Sequence, residues 1–303
     1  MMKLKKVGLI LFLFLFVTVP VFGSGGGESH SPSEVVDHHL KDSNAIEIPF
    51  AGEVHLPHFP TVNIGGVELD FSPTKHFVFF WFSAILLLLI IKTFYKKDQA
   101  VQTGLFGNAI EKFVLFVRDD IVKPAIPHGY NQVLPHFLTV FFVLFIVNYI
   151  GLVPFSATST GNISVTAGMA ITTLIMMVVM GVKVHGPVGY IKTFMPIKDM
   201  GLLPSIILNT ILFPIELIGL ITKPFALAIR LYANMSAGHV IILTILLMGW
   251  GGAHMGWNHM VSPATILGAV FISLLEVLVC FLQAYVFTLL SALFVGMAMS
   301  HDH

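Results

Sequence analysis

Five long apolar stretches constrain the fold of this chain more than any other feature. Crossing the hydrocarbon core of a bilayer takes about 17–25 helical residues. The stretches run over His76–Ile91, His136–Val153, Ile163–Val182, Pro204–Met248 and Pro263–Met299. The whole chain is 56% hydrophobic and 11% charged, whereas soluble domains carry about 25% charged residues. We therefore predict an all-α polytopic membrane protein with about five membrane segments.

The composition also argues against several classes of function. The formal net charge is zero, which disfavours a nucleic-acid partner. The single cysteine, Cys280, lies in an apolar run and cannot form an intrachain disulfide. The histidines are scattered and form no H-E-x-x-H pattern, and no phosphate loop, dinucleotide fingerprint or nucleophile elbow occurs. We therefore expect no metal and no cofactor.

The N-terminus has the build of a secretory signal peptide. A lysine-rich start precedes the apolar stretch Val7–Val19, and small residues ending at Gly23 suit cleavage. An uncleaved signal anchor is the alternative, although the glycine run at 25–27 favours cleavage. The predicted parts are a signal peptide at 1–23, an exported polar segment at 24–75 and a membrane domain at 76–303.

The distribution of basic residues predicts the orientation in the membrane. If the spans alternate, the lysine- and arginine-bearing loops 92–135 and 183–203 fall on the same side. The loops 154–162 and 249–262 carry no charged residue. Since basic loops stay in the cytoplasm, we predict an exported N-terminus and a cytoplasmic C-terminus.

The first basic loop contains an amphipathic pattern. Glu111, Lys112, Arg118 and Asp119 fill one helical face, while the apolar residues that repeat at helical spacing are Ile110, Phe113, Val114, Val117 and Ile121. The pattern predicts a helix that ends at Pro124. It suits a helix at the membrane surface and, equally, a helix packed on a partner subunit.

The fourth apolar stretch is too long for a simple span. Residues 205–248 would form a helix of about 66 Å at ~1.5 Å per residue. The hydrocarbon core is only about 30 Å thick. Such a helix must fold back, kink or tilt steeply, and Pro214 and Pro224 offer kinks.

Arg230 lies in the middle of this stretch and is the most informative single residue for function. A guanidinium cannot shed its charge in a protein, and an arginine at bilayer depth costs about 2.5–3.5 kcal/mol on insertion scales. That cost indicates a counter-ion or a water-filled path. We therefore take Arg230 as the first candidate for a functional residue.

Other polar residues share the Arg230 face of the same helix. At about 100° per residue, Glu216, Lys223 and Asn234 all lie within about 40° of the direction of Arg230. His239 falls on the opposite side, and Glu276 and Gln283 share a face of the last span because they are seven residues apart. A histidine and a glutamate in neighbouring intramembrane helices suit a proton path. Structural interpretations stay open: Glu216 with Lys223 as an ion pair, His239 as an interior histidine, and Gln283 as a contact between helices.

The run from Lys223 to His239, KPFALAIRLYANMSAGH, resembles the motif of subunit a of F-type ATP synthases. Further segments resemble that family in the same order, namely 118–126 (RDDIVKPAI), 148–154 (NYIGLVP), 161–166 (GNISVT), 185–190 (HGPVGY) and 282–287 (LQAYVF). The resemblance covers about residues 75–303. It implies a stator subunit with two long, strongly tilted helices facing a rotor ring.

The resemblance also implies partners and residue roles. The expected partners are the ring of c subunits, the b subunit of the peripheral stalk, the soluble catalytic sector indirectly, and the lipid bilayer, here the bacterial inner membrane. The family's essential arginine corresponds to Arg230. The remaining residues implied in proton translocation are Asn234, Glu216, His239, Glu276, Gln283 and Lys223.

The chain departs from the family pattern at two positions. The serine that often lies four residues before the arginine is Ala226, and an acid that some members carry in the second span is Gly151. Neither change removes a group that charge separation requires. The change at Gly151 does indicate that this position is not a relay here.

Two other classes of function compete with this interpretation. A self-contained secondary transporter could use Arg230 to bind an anionic substrate, but it predicts internal symmetry between the halves, which the sequence does not show. An intramembrane hydrolase needs a metal or a nucleophile constellation. Because the chain has no ATP-binding motif, we expect it to be a non-catalytic component of a larger enzyme.

Overall fold

A computed structural model describes most of the chain outside its N-terminal region. The described residues are 45–48, 52–57, 62–64, 67–69, 72–94, 104–152, 158–194, 202–254 and 258–300. The predicted signal peptide at 1–23 lies outside them and stays a prediction, as does the export of residues 24–75.

Two short hairpins lie in the polar N-terminal segment. Strand β1 (Ala45–Ile48) pairs antiparallel with β2 (Gly52–His55), and β3 (Val62–Ile64) pairs antiparallel with β4 (Val67–Leu69). The sequence analysis did not predict them, although the runs IEI (46–48), VNI (62–64) and VEL (67–69) alternate apolar and polar residues, which is a signal for strands.

From residue 75 onward the described residues form helices. Their bounds are α1 Lys75–Phe94, α2 Leu105–Phe116, α3 Tyr130–Gly151, α4 Ile163–Thr193, α5 Leu202–His254 and α6 Asn258–Met299. All of these except α2 contain a span long and apolar enough to cross a membrane. The predicted polytopic helical membrane fold with five spans is therefore confirmed.

The two last helices are much longer than a bilayer requires. Helix α5 has 53 residues, which corresponds to about 80 Å at ~1.5 Å per residue. It continues through Pro214 and Pro224 instead of ending at either. Helix α6 has 42 residues. The two long helices of the sequence analysis are thus present, while their tilt in the membrane stays a prediction.

Helix α4 is broken near its end. Gly186 has a positive φ of 73°, a conformation that favours glycine, and Pro187 follows it. Beyond the break the chain turns helical again, so that the Tyr190 ring lies directly against Gly181. A methyl group at position 181 would overlap this ring. The predicted third span, 163–182, therefore extends by a kinked second piece that reaches Thr193.

The described residues fall into two compact units. One contains the described residues of 147–162 and 233–280 together with those up to 83. The other contains the described residues of 84–146, 163–232 and 281–303. The main hydrophobic core belongs to this second unit, and its largest fully buried side chains include Phe137, Phe141, Phe287 and Leu231.

The amphipathic pattern of the first basic loop forms a helix, and part of its apolar face packs on the chain's own core. Helix α2 continues through a π-helical turn, Val117–Val122. Val117 and Ile121 have no exposed surface, and the Phe113 ring lies 5.6 Å from that of Phe145 and 6.2 Å from that of Phe281. Part of this face therefore packs on the chain's own core, against aromatic rings of α3 and α6. Ile110 and Val114 stay partly exposed, and contact of the helix with the membrane surface or with a partner subunit stays a prediction.

We expect Gly296→Ala to destabilise the second unit. A methyl group at this position of α6 would overlap the backbone carbonyl oxygen of Ala125. Overpacking of this kind costs about 1–3 kcal/mol, which exceeds the gain of about 1 kcal/mol that alanine brings to a helix. Thermal unfolding of the purified subunit in detergent would measure the loss. Gly168→Ala is the matched control, since no atom of the described residues lies within 4 Å of the added methyl, and equal melting of the two variants would contradict the clash.

Candidate functional site

Arg230 lies on the exposed side of α5. The buried side of this helix includes Leu227, Ala228, Leu231 and Met235. Arg230 and Asn234 fall on the opposite side and are exposed on the isolated chain. The exposed side thus arises from the helical repeat itself, because the apolar residues that face the protein recur every three or four positions.

The other two polar residues predicted to share the Arg230 face form an ion pair. Lys223 Nζ lies 3.7 Å from Glu216 Oε1, and the two side chains are 33% and 53% exposed. The geometry agrees with the structural interpretation of this pair. Among the residues that the structure describes, no hydrogen bond or ion pair involves Arg230. Its guanidinium is therefore available to a group outside the described part of the chain.

Arg118 and Asp119 form a second ion pair, outside the membrane spans. Arg118 Nη2 lies 2.8 Å from Asp119 Oδ2, and both side chains are exposed. The hydrogen bond from the guanidinium lowers the pKa of the Asp119 carboxyl below its ordinary value. This pair lies within the basic segment that links α2 to α3.

Glu276 is a buried carboxyl group in the first unit. It is only 5% exposed, and neither of its carboxylate oxygens has a hydrogen-bond partner within the described residues. A methyl group at Gly238 would overlap its Oε1 atom. Helices α5 and α6 are therefore in direct contact at Gly238, the residue that precedes His239.

His239 contacts a residue that the sequence analysis did not single out. Its Nε2 atom forms a hydrogen bond with Thr158 Oγ1. The same hydroxyl donates to the backbone carbonyl of Gly151, 3.2 Å away. The only sequence signal for Thr158 is the cluster of hydroxyl residues in the short uncharged loop after the second span, because its contact with α5 depends on tertiary structure.

Gln283 lies in the second unit, where α6 joins the core. It is 4% exposed, and its neighbour Ala284 belongs to the core cluster. The predicted site residues are thus divided between the units: Asn234, His239 and Glu276 lie in the first, and Glu216, Lys223, Arg230 and Gln283 lie in the second.

These groups can perform two kinds of chemistry. Arg230 carries a permanent positive charge, so it can attract or repel ions without itself exchanging protons. His239 and Glu276 can both gain and lose a proton, and each lies on a helix of a polytopic membrane protein. The arrangement suits movement of protons, and the described residues contain no group of His, Cys, Asp and Glu side chains that could hold a metal ion.

Comparison with known proteins agrees with these features. The family model described as "ATP synthase A chain" matches residues 77–296. "ATP synthase subunit a" of Chloroherpeton thalassium is 42% identical over 278 residues, which span 90% of this chain and 79% of that protein. "ATP synthase subunit a 2" of Chlorobaculum tepidum is 41% identical over 276 residues, or 89% and 74% of the two chains.

A more distant relative extends the same similarity. "ATP synthase subunit a" of Anaeromyxobacter dehalogenans is 37% identical over 293 residues, which span 93% of this chain and 75% of that protein. The family match covers all five candidate spans nearly completely. The chain therefore belongs to the ATP synthase subunit a family.

Proposed function

We propose that this chain is the stator subunit of a rotary ATP synthase and forms two proton half-channels against a ring of c subunits. The observation that carries this proposal is Arg230, a permanent charge on the exposed side of a membrane-spanning helix. An arginine at bilayer depth needs a counter-ion or water. A carboxylate on a neighbouring ring subunit would supply the counter-ion.

Arg230 would act by separating the two half-channels. A ring carboxylate that carries a proton can rotate through lipid without the cost of a buried charge. When it reaches Arg230, the guanidinium favours its ionised form, so the proton leaves toward the cytoplasm. The same positive charge repels a hydrated proton and so prevents direct leakage from one half-channel to the other.

His239 and Glu276 would form the relay on the exported side. Glu276 lies against the backbone of Gly238, next to His239, so both groups lie near one contact between α5 and α6. Asn234 and Gln283 would add polar groups to the path. Each proton that crosses 100 mV contributes about 2.3 kcal/mol, and several are therefore needed for each ATP.

The remaining assignments follow from the same proposal. The protein would lie in the bacterial inner membrane with its N-terminus exported and its C-terminus in the cytoplasm, as the basic loops predict. The b subunit would hold it in the stator. An anion transporter built around Arg230 is the weaker alternative, because such transporters have internal repeats that this sequence lacks.

Disulfide crosslinking tests the contact with the ring. Ala226 lies one turn before Arg230 and is exposed. In a Cys280→Ala background, Ala226→Cys should crosslink under oxidation to a cysteine placed one turn from the ring carboxylate. A disulfide requires Cα atoms within about 7 Å of each other, so the product reports direct contact.

A matched variant controls for random collision in the membrane. Ile85→Cys places a thiol on α1 at a site that is 54% exposed, and it should give no crosslink to the same ring cysteine. Equal crosslinking of both variants, or none from Ala226→Cys in assembled complex, would contradict the proposed face.

A further inference from the structure

Three consecutive buried hydroxyl residues of the first unit form hydrogen bonds to three different helices. Thr158, Ser159 and Thr160 are each at most 7% exposed. Ser159 Oγ donates to the His76 carbonyl at 2.9 Å, and Thr160 Oγ1 donates to Asn148 Oδ1 at 2.9 Å. Two of the three hydroxyls therefore form hydrogen bonds with other helices, one with a backbone carbonyl of α1 and one with a side chain of α3. Among the hydrogen bonds that these three hydroxyls make to described residues, the one between Thr158 and His239 joins a group that can exchange protons.

Gly151 provides the space that Thr158 occupies. A methyl group at position 151 would lie 2.9 Å from Thr158 Cγ2 and 3.0 Å from its Oγ1 atom. Real side chains essentially never approach so closely, so any larger residue here would displace the threonine. The absence of an acid at this position thus has a structural consequence: it lets Thr158 rest against the C-terminal turn of α3 and reach His239.

The hydrogen bonds of Thr158 also assign the proton on His239. A threonine hydroxyl has one hydrogen to donate and can accept others. The Gly151 carbonyl can only accept, and it lies in the last turn of α3, where carbonyls lack helical partners. If Thr158 donates to Gly151, its oxygen accepts a hydrogen from His239. Neutral His239 then bears its proton on Nε2 and presents Nδ1 as its basic atom.

We propose that Thr158 is the positioning residue for His239: seated against Gly151, its hydroxyl fixes the ring orientation and the Nε2–H tautomer, so that the proton is taken up at Nδ1. This inference rests on the proposed role of His239 as a proton relay. Thr158 does not itself carry the proton, because its hydroxyl hydrogen is engaged by the carbonyl of Gly151.

ATP-driven acidification of inverted membrane vesicles that hold the complete complex tests the inference. Thr158→Val keeps the side-chain shape and removes the hydroxyl. We expect it to slow acidification about three- to tenfold, the size that follows from losing one hydrogen bond. Thr158→Ser retains the hydroxyl and should restore nearly the wild-type rate. Gly151→Ala keeps Thr158 but displaces it, and it should slow acidification like Thr158→Val.

Two further variants distinguish a failure of this inference from a failure of the proposed function. Ser159→Ala removes the neighbouring buried hydroxyl, which among the described residues binds only a backbone carbonyl, and should pump faster than Thr158→Val at equal assembly. His239→Gln tests the relay itself, so a wild-type rate there would contradict the proposed function and the inference with it. If His239→Gln is slow, then wild-type rates in both Thr158→Val and Gly151→Ala, or equal slowing by Thr158→Ser, would overturn the inference alone. Should Thr158→Val fail to assemble, as judged by immunoblotting of the membranes, the rates of Gly151→Ala and Thr158→Ser are compared instead. Slow acidification by Gly151→Ala with a near-wild-type rate in Thr158→Ser would support the inference, and equal rates would overturn it.

Discussion

Arg230→Ala should reduce ATP-driven proton pumping by at least about a hundredfold, the scale seen when one charge-stabilising group is removed. In the proposed mechanism, a ring carboxylate that returns from the lipid would keep its proton without the guanidinium, and the ring would no longer couple to proton release. The proposed barrier between the half-channels would disappear as well. Vesicles stripped of the soluble sector should therefore leak protons faster than wild-type vesicles do.

The chain provides a matched control for this variant. Its only other arginine is Arg118, which lies outside the membrane spans and pairs with Asp119 on the surface. Arg118→Ala removes the same kind of side chain and should leave pumping near the wild-type rate. Unchanged pumping in Arg230→Ala would reject the stator role and restore the anion transporter as the first hypothesis.

The helical spans could be predicted because their signal is local. An apolar run of sufficient length specifies a membrane helix by itself, and all five expected runs coincide with helices. The break at Gly186 could not be predicted in the same way, because a glycine followed by a proline also occurs in ordinary loops. The packing of Val117 and Ile121 could not be predicted either, since an amphipathic pattern does not specify which surface covers its apolar face.

The candidate site likewise has features that the local sequence predicts and contacts that depend on tertiary structure. The face shared by Arg230 and Asn234 follows from the helical repeat, and the structure places both on the exposed side of α5. The contact between Thr158 and His239 joins residues 81 positions apart, and no local pattern encodes it. The close approach of Glu276 to Gly238 has the same origin: glycine in a helix is common, and its role as a space for a carboxyl group depends on the neighbouring helix.

Glu276→Gln should slow ATP-driven pumping by at least about tenfold while the subunit still assembles. The amide has nearly the same shape as the carboxyl group but cannot exchange a proton, and loss of one acid–base group costs about 10²–10⁴ in rate when that step limits turnover. Acidification of inverted vesicles measures the effect. Immunoblotting of subunit a in the membranes separates a slow complex from an absent one.

The stability of this variant distinguishes a relay from a structural residue. Neither Glu276 oxygen has a hydrogen-bond partner within the described residues, so replacing the carboxyl breaks no bond there and assembly should stay at or above the wild-type level. Ser273→Ala is the control on the same helix, because within the described part of the chain its hydroxyl bonds only the Ala269 carbonyl one turn back, and its pumping should match wild type. If Glu276→Gln instead pumps normally, protons pass without Glu276, and His239 would have to receive them directly from water.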